Sequence, residues 1–537
     1  MNNGKKFTGI MIDISRGQVP KIKTLKEIIK NLSIYDINFF SLYIEHTFRY
    51  KKHPLIWKNT GAFSQKEIKE LIEYCKQYNI EVIPSIQTLG HFEKILIHKE
   101  YAQLAETDLY FSLAPVKKQT YQLLEDIIQE IAETFESEYI NIGGDEVWDI
   151  AQGQSKKYAE KLGGETELFL AHILKVKEIV EKYNKKMMMW GDMVLKYGNK
   201  LKKLPSDIIL LNWNYSASDT QFLKKIISKC SIKGNQQIIC TGVLSWNALF
   251  PDIHNAITNI HNFVRAATLS KKPIAGFMVT VWGDDGNFNF LGESIPGILF
   301  FSHLMAVDLS KLKYNTNLNN RLYKNFWGIK NQNISLLNIF LFFSEIYKIL
   351  KLEDVHQLFK LYWEDPLAEN IIKSNNIDKK LVTKIYKKAL SYLNQAKKIK
   401  IKKNKSYFNE ILYKIKIIIN FLERILLSID IKNLYTLAYK NLWNEKLVES
   451  NLRQIINIYK EMIKDILNLK KEYKKLWIRK YKKEGLAYNL SRFKNIAKFY
   501  KEKQKEIKKQ LIHYRKPGGS LLKLETSYRR VIDTLKL

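Results

Sequence analysis

Eight short apolar segments, each followed by a longer amphipathic stretch, recur at intervals of about 25 to 45 residues along the N-terminal part of the chain, and this alternation limits the fold most severely. The segments are Phe7 to Asp13, Asn38 to Glu45, Glu81 to Ile86, Tyr139 to Gly144, Lys186 to Trp190, Ile208 to Trp213, Gln237 to Thr241 and Ile274 to Trp282. Between them, Thr24 to Leu32, Ser64 to Tyr78, Tyr121 to Phe135, Glu165 to Tyr183 and Asp219 to Ser228 carry apolar residues at helical spacing. A strand that lies parallel to its predecessor needs a crossover of about a dozen residues or more, and each interval supplies one. Eight such units predict an α/β fold, a closed (β/α)8 TIM barrel, rather than an open sheet.

Past residue 310 the pattern changes to long helices rich in Leu, Ile, Lys and Tyr, such as Leu336 to Lys351, Lys379 to Lys397, Phe408 to Ser428 and Glu449 to Tyr473. We therefore divide the chain into a barrel, residues 1–310, and a Lys-rich α-helical region, residues 311–537, packed on it. A loop signal, Lys516-Pro517-Gly518-Gly519-Ser520, sets off a final helix. The formal charge of +34 belongs almost wholly to the second part, with 51 Lys and Arg against 20 Asp and Glu, compared with 37 against 34 in the barrel. Lys, Ile, Asn and Tyr are abundant throughout, so we read the excess as solvated faces of a compositionally drifted chain and expect no nucleic-acid partner. The helical region is a candidate homodimer surface.

No run of about 18 apolar residues is present, so no membrane span is expected. The basic N-terminus leads into a short apolar segment broken by Asp13, which argues against a secretory signal and for the cytoplasm. Cys75, Cys230 and Cys240 are odd in number and far apart, which predicts neither a disulfide framework nor a zinc site. Neither metal nor cofactor is called for.

A barrel gathers its working groups where strands end. The eight ends here lead to Asp13 and Arg16; Glu45 and His46; Gln87 and His91; Asp145 and Glu146; Trp190 and Asp192; Trp213 and Tyr215; Trp246 and Asn247; and Trp282, Asp284 and Asp285. Each has an ordinary structural explanation alone, whether a surface ion pair, a core tryptophan or a helix cap. Their convergence points instead to a site. Tryptophans offer apolar walls for a pyranose ring, and Arg16 and the carboxylates can grip vicinal hydroxyls. In Gly143-Gly144-Asp145-Glu146 the glycines permit a bend that aims both carboxylates at one place. Like-charge repulsion from Asp145 helps keep Glu146 protonated, as the acid of a glycosidase must be.

These residues resemble glycoside hydrolase family 20, the β-N-acetylhexosaminidases, and in particular its bacterial intracellular-type branch. The resemblance covers roughly residues 7 to 300 and rests on Gly9-Ile10-Met11-Ile12-Asp13-Ile14-Ser15-Arg16, Leu89-Gly90-His91, Gly143-Gly144-Asp145-Glu146 and Trp282-Gly283-Asp284, in that order. It implies a retaining exo-enzyme that removes terminal β-linked N-acetylglucosamine or N-acetylgalactosamine with the substrate's own acetamide as nucleophile, through an oxazolinium-type intermediate. By that analogy Glu146 is the general acid and then base, and Asp145 orients the acetamide. Arg16 and Asp284 bind sugar hydroxyls, and His91 supports the carboxylates. Trp190, Trp213 and Trp282 form the acetamide pocket and ring platform, with Trp246 beside them. Two positions depart from the family pattern. Asp284 stands where glutamate is common, and Asn247 stands near the place of the acetamide-binding tyrosine, for which Tyr215 is the candidate replacement. The competing readings are a barrel glycosidase with a protein nucleophile, and a catalytically decayed sugar-binding or scaffold protein with a basic helical region.

Overall fold

Eight parallel strands, paired in sequence order and closed by β1 on β8, form the barrel: β1 Phe7–Asp13, β2 Phe39–Ile44, β3 Glu81–Ile86, β4 Tyr139–Asn141, β5 Lys186–Trp190, β6 Ile209–Trp213, β7 Gln237–Gly242 and β8 Ile274–Val281. The structure, a computed structural model, describes residues 6–307, 316–330, 335–364 and 378–522. All eight expected strands and the five expected crossover helices are present, the helices at Ile22–Leu32, Gln65–Lys76, Lys118–Thr134, Glu165–Lys182 and Thr220–Cys230. The main shift concerns β4, which stops at Asn141 rather than Gly144. Gly143 and Gly144 have φ of +74° and +78°, a left-handed conformation that ends the strand.

Side chains alternate across each strand, and the alternation sorts the barrel into two cores. The interior cluster contains Met11, Phe39, Tyr43, Ile83, Tyr139, Met188, Trp190, Ile209, Leu211, Ile238, Cys240 and Met278. Intervening residues such as Ile10, Ile12, Phe40, Leu42, Ile44, Met187 and Met189 face the outer helices and join the main core. Helix starts are fixed locally. Ser64 and Glu67 form a reciprocal capping box, and Asp219 and Asp252 accept from the backbone N–H groups of Phe222 and Asn255.

The C-terminal region is helical, with its longest elements at Lys379–Lys398, Lys405–Lys440, Glu445–Lys480 and Leu486–Tyr514. The expected division at 310/311 and the expected final helix beyond Ser520 fall largely on 308–315 and 523–537, outside the described residues. The helix expected over Leu336 to Lys351 is two, Leu336–Ser344 and Ile346–Ile349. No helix among the described residues is long and apolar enough to cross a membrane. The three cysteines are free and buried.

Barrel and helical region share one continuous apolar core, in which Phe288 stacks on Tyr473 at 5.0 Å. Charges are buried at this junction as well. Lys414, fully enclosed, lies 3.5 Å from Glu293 and donates to Asn289, and Glu410 accepts from the Gly292 N–H at 2.8 Å. Burial raises the Glu293 carboxyl to about 8 and lowers the Lys414 ammonium to about 8. Buried pairs of this kind add little net stability, but removing one member strands the other. Lys414→Ala should therefore cost about 3–5 kcal/mol of unfolding free energy, and the double change Glu293→Gln with Lys414→Met clearly less; denaturant unfolding of the two variants measures the difference.

Candidate active site

The inward-pointing register of each strand continues past its end. Asp13, Glu45, Gln87, Asp145, Asp192, Tyr215 and Asp284 each lie two residues or an even step beyond an inward-facing position. That spacing carries polar groups from seven of the eight strands to the C-terminal mouth of the barrel.

One side of the mouth is a chain of hydrogen bonds and charges. Arg16 Nη1 lies 3.1 Å from Glu45 Oε1 and 3.5 Å from Asp13 Oδ2, with its guanidinium over the Tyr43 ring at 4.7 Å. Tyr43 donates its hydroxyl to Glu45 at 2.9 Å and accepts from Gln87 Nε2 at 2.8 Å; Gln87 Nε2 also donates to Asp145 Oδ1 at 2.9 Å. His91 Nε2 is 3.4 Å from Asp145 Oδ2 and 3.7 Å from Glu146 Oε2, with Phe111 edge-on to its ring at 5.0 Å. The Gly143 bend makes these contacts possible. A Cβ there would fall 2.1 Å from Gln87 Oε1.

The two adjacent carboxylates have unlike surroundings. Asp145 is buried, which alone would raise its pKa, but His91, through charge and hydrogen bonding, and Gln87 outweigh burial and hold it below the usual aspartate range. The Glu146 side chain is 37% exposed and faces the opening. Partial burial and then the Asp145 charge raise it above the usual glutamate range, against the pull of His91. Burial works to discharge His91, but Asp145 prevails and lifts it to about 9. Arg16 and the two histidines overcome burial at Glu45 and lower it to about 2. Burial raises Asp13 and Asp284 despite Arg16.

The other side is aromatic. Trp213 stacks on Tyr215 at 5.2 Å, Trp246 meets Tyr215 edge-on at 5.2 Å, and Trp282 Nε1 donates to the Tyr215 hydroxyl at 2.6 Å. Gly242 leaves the room this group needs, since a Cβ would lie 2.8 Å from Tyr215 and 2.9 Å from Trp246. Trp190 has no exposed surface and packs against Trp282 at 5.8 Å, so it backs the wall instead of facing the opening. Asp284, with φ of +42°, stands at the rim within electrostatic reach of Arg16. Trp148, two residues past Glu146, is 64% exposed.

All ten expected residues thus converge: Arg16, His91, Asp145 and Glu146 on the charged side, Trp190, Trp213, Tyr215, Trp246 and Trp282 on the aromatic side, and Asp284 between them. Asn247 lies on the loop after β7, where its carbonyl meets His356 Nδ1 at 3.1 Å. Five further residues take part: Asp13, Glu45, Gln87 and Asp192, which the sequence placed at strand ends without a role, and Tyr43, which it did not single out. The alternation Phe39, Ser41, Tyr43 points Tyr43 inward. Asp192 accepts from the Glu146 N–H at 2.9 Å, which holds Glu146 in a left-handed turn at φ +49°. Burial and then Asp145 push the Asp192 carboxyl up to about 7. Asp145 and Glu146 do not cap a helix, because the next one begins at Lys156.

His91, Asp145 and Glu146 offer ligand atoms all within 4.8 Å of one another, the one such group among the described residues. With its pKa lifted to about 9, His91 is an imidazolium at neutral pH, which repels a cation and has no free lone pair to give one.

A parallel barrel whose mouth sets a lowered carboxyl beside a raised one, walled by tryptophan, suits glycoside hydrolysis. Residues 6–243, the greater part of the barrel, match the family model described as glycosyl hydrolase family 20, catalytic domain. It is 23% identical over 299 residues to Hexosaminidase D of Bos taurus, covering 52% of this chain and 86% of that protein. To Beta-hexosaminidase subunit beta of Homo sapiens it is 28% identical over 235 residues, covering 39% of this chain and 40% of that one. An X-ray structure of Flavobacterium johnsoniae chitobiase shares the fold, with a TM-score of 0.50 at 17% identity over 96% of this chain and 73% of that chain.

The His91 charge lowers both neighbouring carboxyls, so His91→Asn should raise the pKa of Asp145 and of Glu146 together. Carboxyl-selective NMR titration of the variant against the wild-type protein reads the two shifts.

Proposed function

We propose that the protein is a retaining exo-β-N-acetylhexosaminidase that hydrolyses terminal β-linked N-acetylglucosamine or N-acetylgalactosamine with help from the substrate's own acetamide group. The observation that carries this reading is the unequal pair, a buried Asp145 held below the usual aspartate range beside a more accessible Glu146 raised above the usual glutamate range. The relatives named hexosaminidases support the same reading.

In the first step Glu146 gives its proton to the glycosidic oxygen while the acetamide oxygen attacks the anomeric carbon. The bond to the leaving alcohol breaks as the ring of the oxazolinium ion closes. Positive charge spreads over that ring, and the carboxylate of Asp145, held by Gln87 and His91, orients the amide and offsets the charge. In the second step Glu146, now ionised, takes a proton from water; the water oxygen bonds to the anomeric carbon, the acetamide oxygen leaves, and the β-configuration is retained. Tyr215 donates to the acetamide oxygen, Trp213, Trp246 and Trp282 stack on the sugar, and Arg16 and Asp284 bind its hydroxyls. The substrate is a hexosaminide glycan or glycoconjugate, which places the enzyme in carbohydrate metabolism. Three buried free thiols accord with a reducing, cytoplasmic setting.

The test is hydrolysis of an aryl N-acetyl-β-glucosaminide. Glu146→Gln should lower the rate on the order of 10²–10⁴-fold, most for poor leaving groups, and full activity in that variant would overturn the assignment of the acid. A thiazoline mimic of the bound intermediate should inhibit; indifference to it favours a protein nucleophile. The reaction needs Asp145 ionised and Glu146 protonated. Its pH profile should therefore be a bell, with the acid limb below the ordinary aspartate value of 3.8 and the alkaline limb above the ordinary glutamate value of 4.5.

A further inference from the structure

The corner between the last two long helices, residues 480–492, is seated on the two barrel loops that carry Arg16 and Asp284. After β1, the Lys21 N–H donates to the Lys480 carbonyl and the Lys482 N–H to the Val19 carbonyl, each at 2.8 Å, while Pro20 and Tyr481 form an isolated β-bridge. Gly485, at φ +77°, lies so close to Gly17 that a Cβ would fall 1.9 Å from the Gly17 carbonyl oxygen.

The hold after β8 is tighter. Arg492 Nη2 reaches the Asp285 carboxylate at 2.9 Å and its carbonyl at 2.7 Å. Tyr488 donates its hydroxyl to Asp285 Oδ1 at 2.6 Å, and Asn489 Nδ2 donates to the Gly286 carbonyl at 2.6 Å. Arg492 is itself fixed, 5% exposed, with its guanidinium over Tyr488 at 4.9 Å, Phe359 at 5.3 Å and Trp363 at 5.7 Å. Three contacts from one helical turn thus converge on Asp285, with a fourth on Gly286, directly after Asp284, whose own φ of +42° is unfavourable for aspartate outside a constrained turn. A second helix, Val355–Tyr362, secures the adjoining loop through His356 and the Asn247 carbonyl.

We propose that Arg492 and Tyr488, from the C-terminal helical region, are positioning residues for sugar recognition: they fix the Asp285–Gly286 turn, and with it Asp284, so that the helical region sets the pocket for the outer hydroxyls. The proposal rests on the reading of Asp284 as a hydroxyl-binding group. It gives the helical region a part in specificity, because N-acetylglucosamine and N-acetylgalactosamine differ only in one ring hydroxyl. Arg492 has no direct role in proton transfer. Its loss loosens Asp284 and leaves in place Asp145 and Glu146, which are held by Gln87, His91 and Asp192.

The experiment compares wild type, Asp284→Asn, Arg492→Ala, Arg492→Lys and Tyr488→Phe, all in the full chain, on aryl N-acetyl-β-glucosaminide and N-acetyl-β-galactosaminide, with circular dichroism and thermal unfolding as folding controls. Arg492→Ala should raise KM about tenfold, the scale of one charged hydrogen bond, with little change in kcat. It should also shift the ratio of kcat/KM for the two sugars in the direction Asp284→Asn shifts it, and Arg492→Lys should recover part of both. Tyr488→Phe, which removes one hydroxyl from a half-exposed ring, should act in the same direction more weakly and decides the matter if Arg492→Ala does not fold. If the folded variants keep the wild-type KM and sugar ratio while Asp284→Asn alters them, the corner is only a structural joint and the proposal fails. If Asp284→Asn alters neither, the hydroxyl-binding reading of Asp284 is itself wrong and the proposal falls with it.

Discussion

The contact between His91 and Asp145 is what the rest of the site depends on. A carboxylate buried as deeply as Asp145 would ordinarily take up a proton, and the imidazolium beside it prevents that. The same cation lies 3.7 Å from Glu146, where its pull is too weak to overcome burial and the Asp145 charge. Beside that histidine the two adjacent carboxyls shift in opposite directions, Asp145 down and Glu146 up. The contact ends a longer chain of ion pairs and hydrogen bonds, from Arg16 through Glu45, Tyr43 and Gln87 to Asp145 and His91. Such a buried network is poor at adding stability, and its value here lies in fixing geometry.

Much of this was legible in the sequence, and the rest was hidden for identifiable reasons. Eight strands and their crossovers followed from apolar alternation, and several strand limits matched the structure to the residue, as at Phe7–Asp13, Glu81–Ile86 and Lys186–Trp190. The end of β4 was misplaced because Ile142 and the glycines continue the apolar pattern, while the backbone has already turned left-handed. Arg16, His91, Asp145 and Glu146 stood out because charged residues at strand ends have few packing explanations. Tyr43 did not, since a tyrosine within an apolar strand reads as core until the inward register is followed across the barrel. Asp192 was placed at its strand end but given no role, because its partner is a backbone N–H that the sequence does not point to. Trp190 was expected to face the sugar and instead lies wholly behind Trp282, a difference in depth that sequence does not encode.

The helical region looked in sequence like a basic appendage. In the structure its long helices share the barrel's core, bury Lys414 against Glu293, and rest one corner on the loops after β1 and β8. Many of its lysines lie on exposed helix faces, while the few buried cations, Lys414, Arg424, Lys480 and Arg492, each have a defined acceptor. That distribution separates a solvated surface excess from charges with structural roles.

The central claim is that the nucleophile is the acetamide oxygen of the substrate and that Asp145 serves it. The most direct measurement is kcat/KM for a series of aryl glucosaminides whose N-acetyl group carries none, one, two or three fluorines. Each fluorine drains electron density from the acetamide oxygen and leaves the ring and the leaving group unaltered. The account predicts that log(kcat/KM) falls steeply and steadily with fluorine number; a flat series would place the nucleophile on the protein and contradict it.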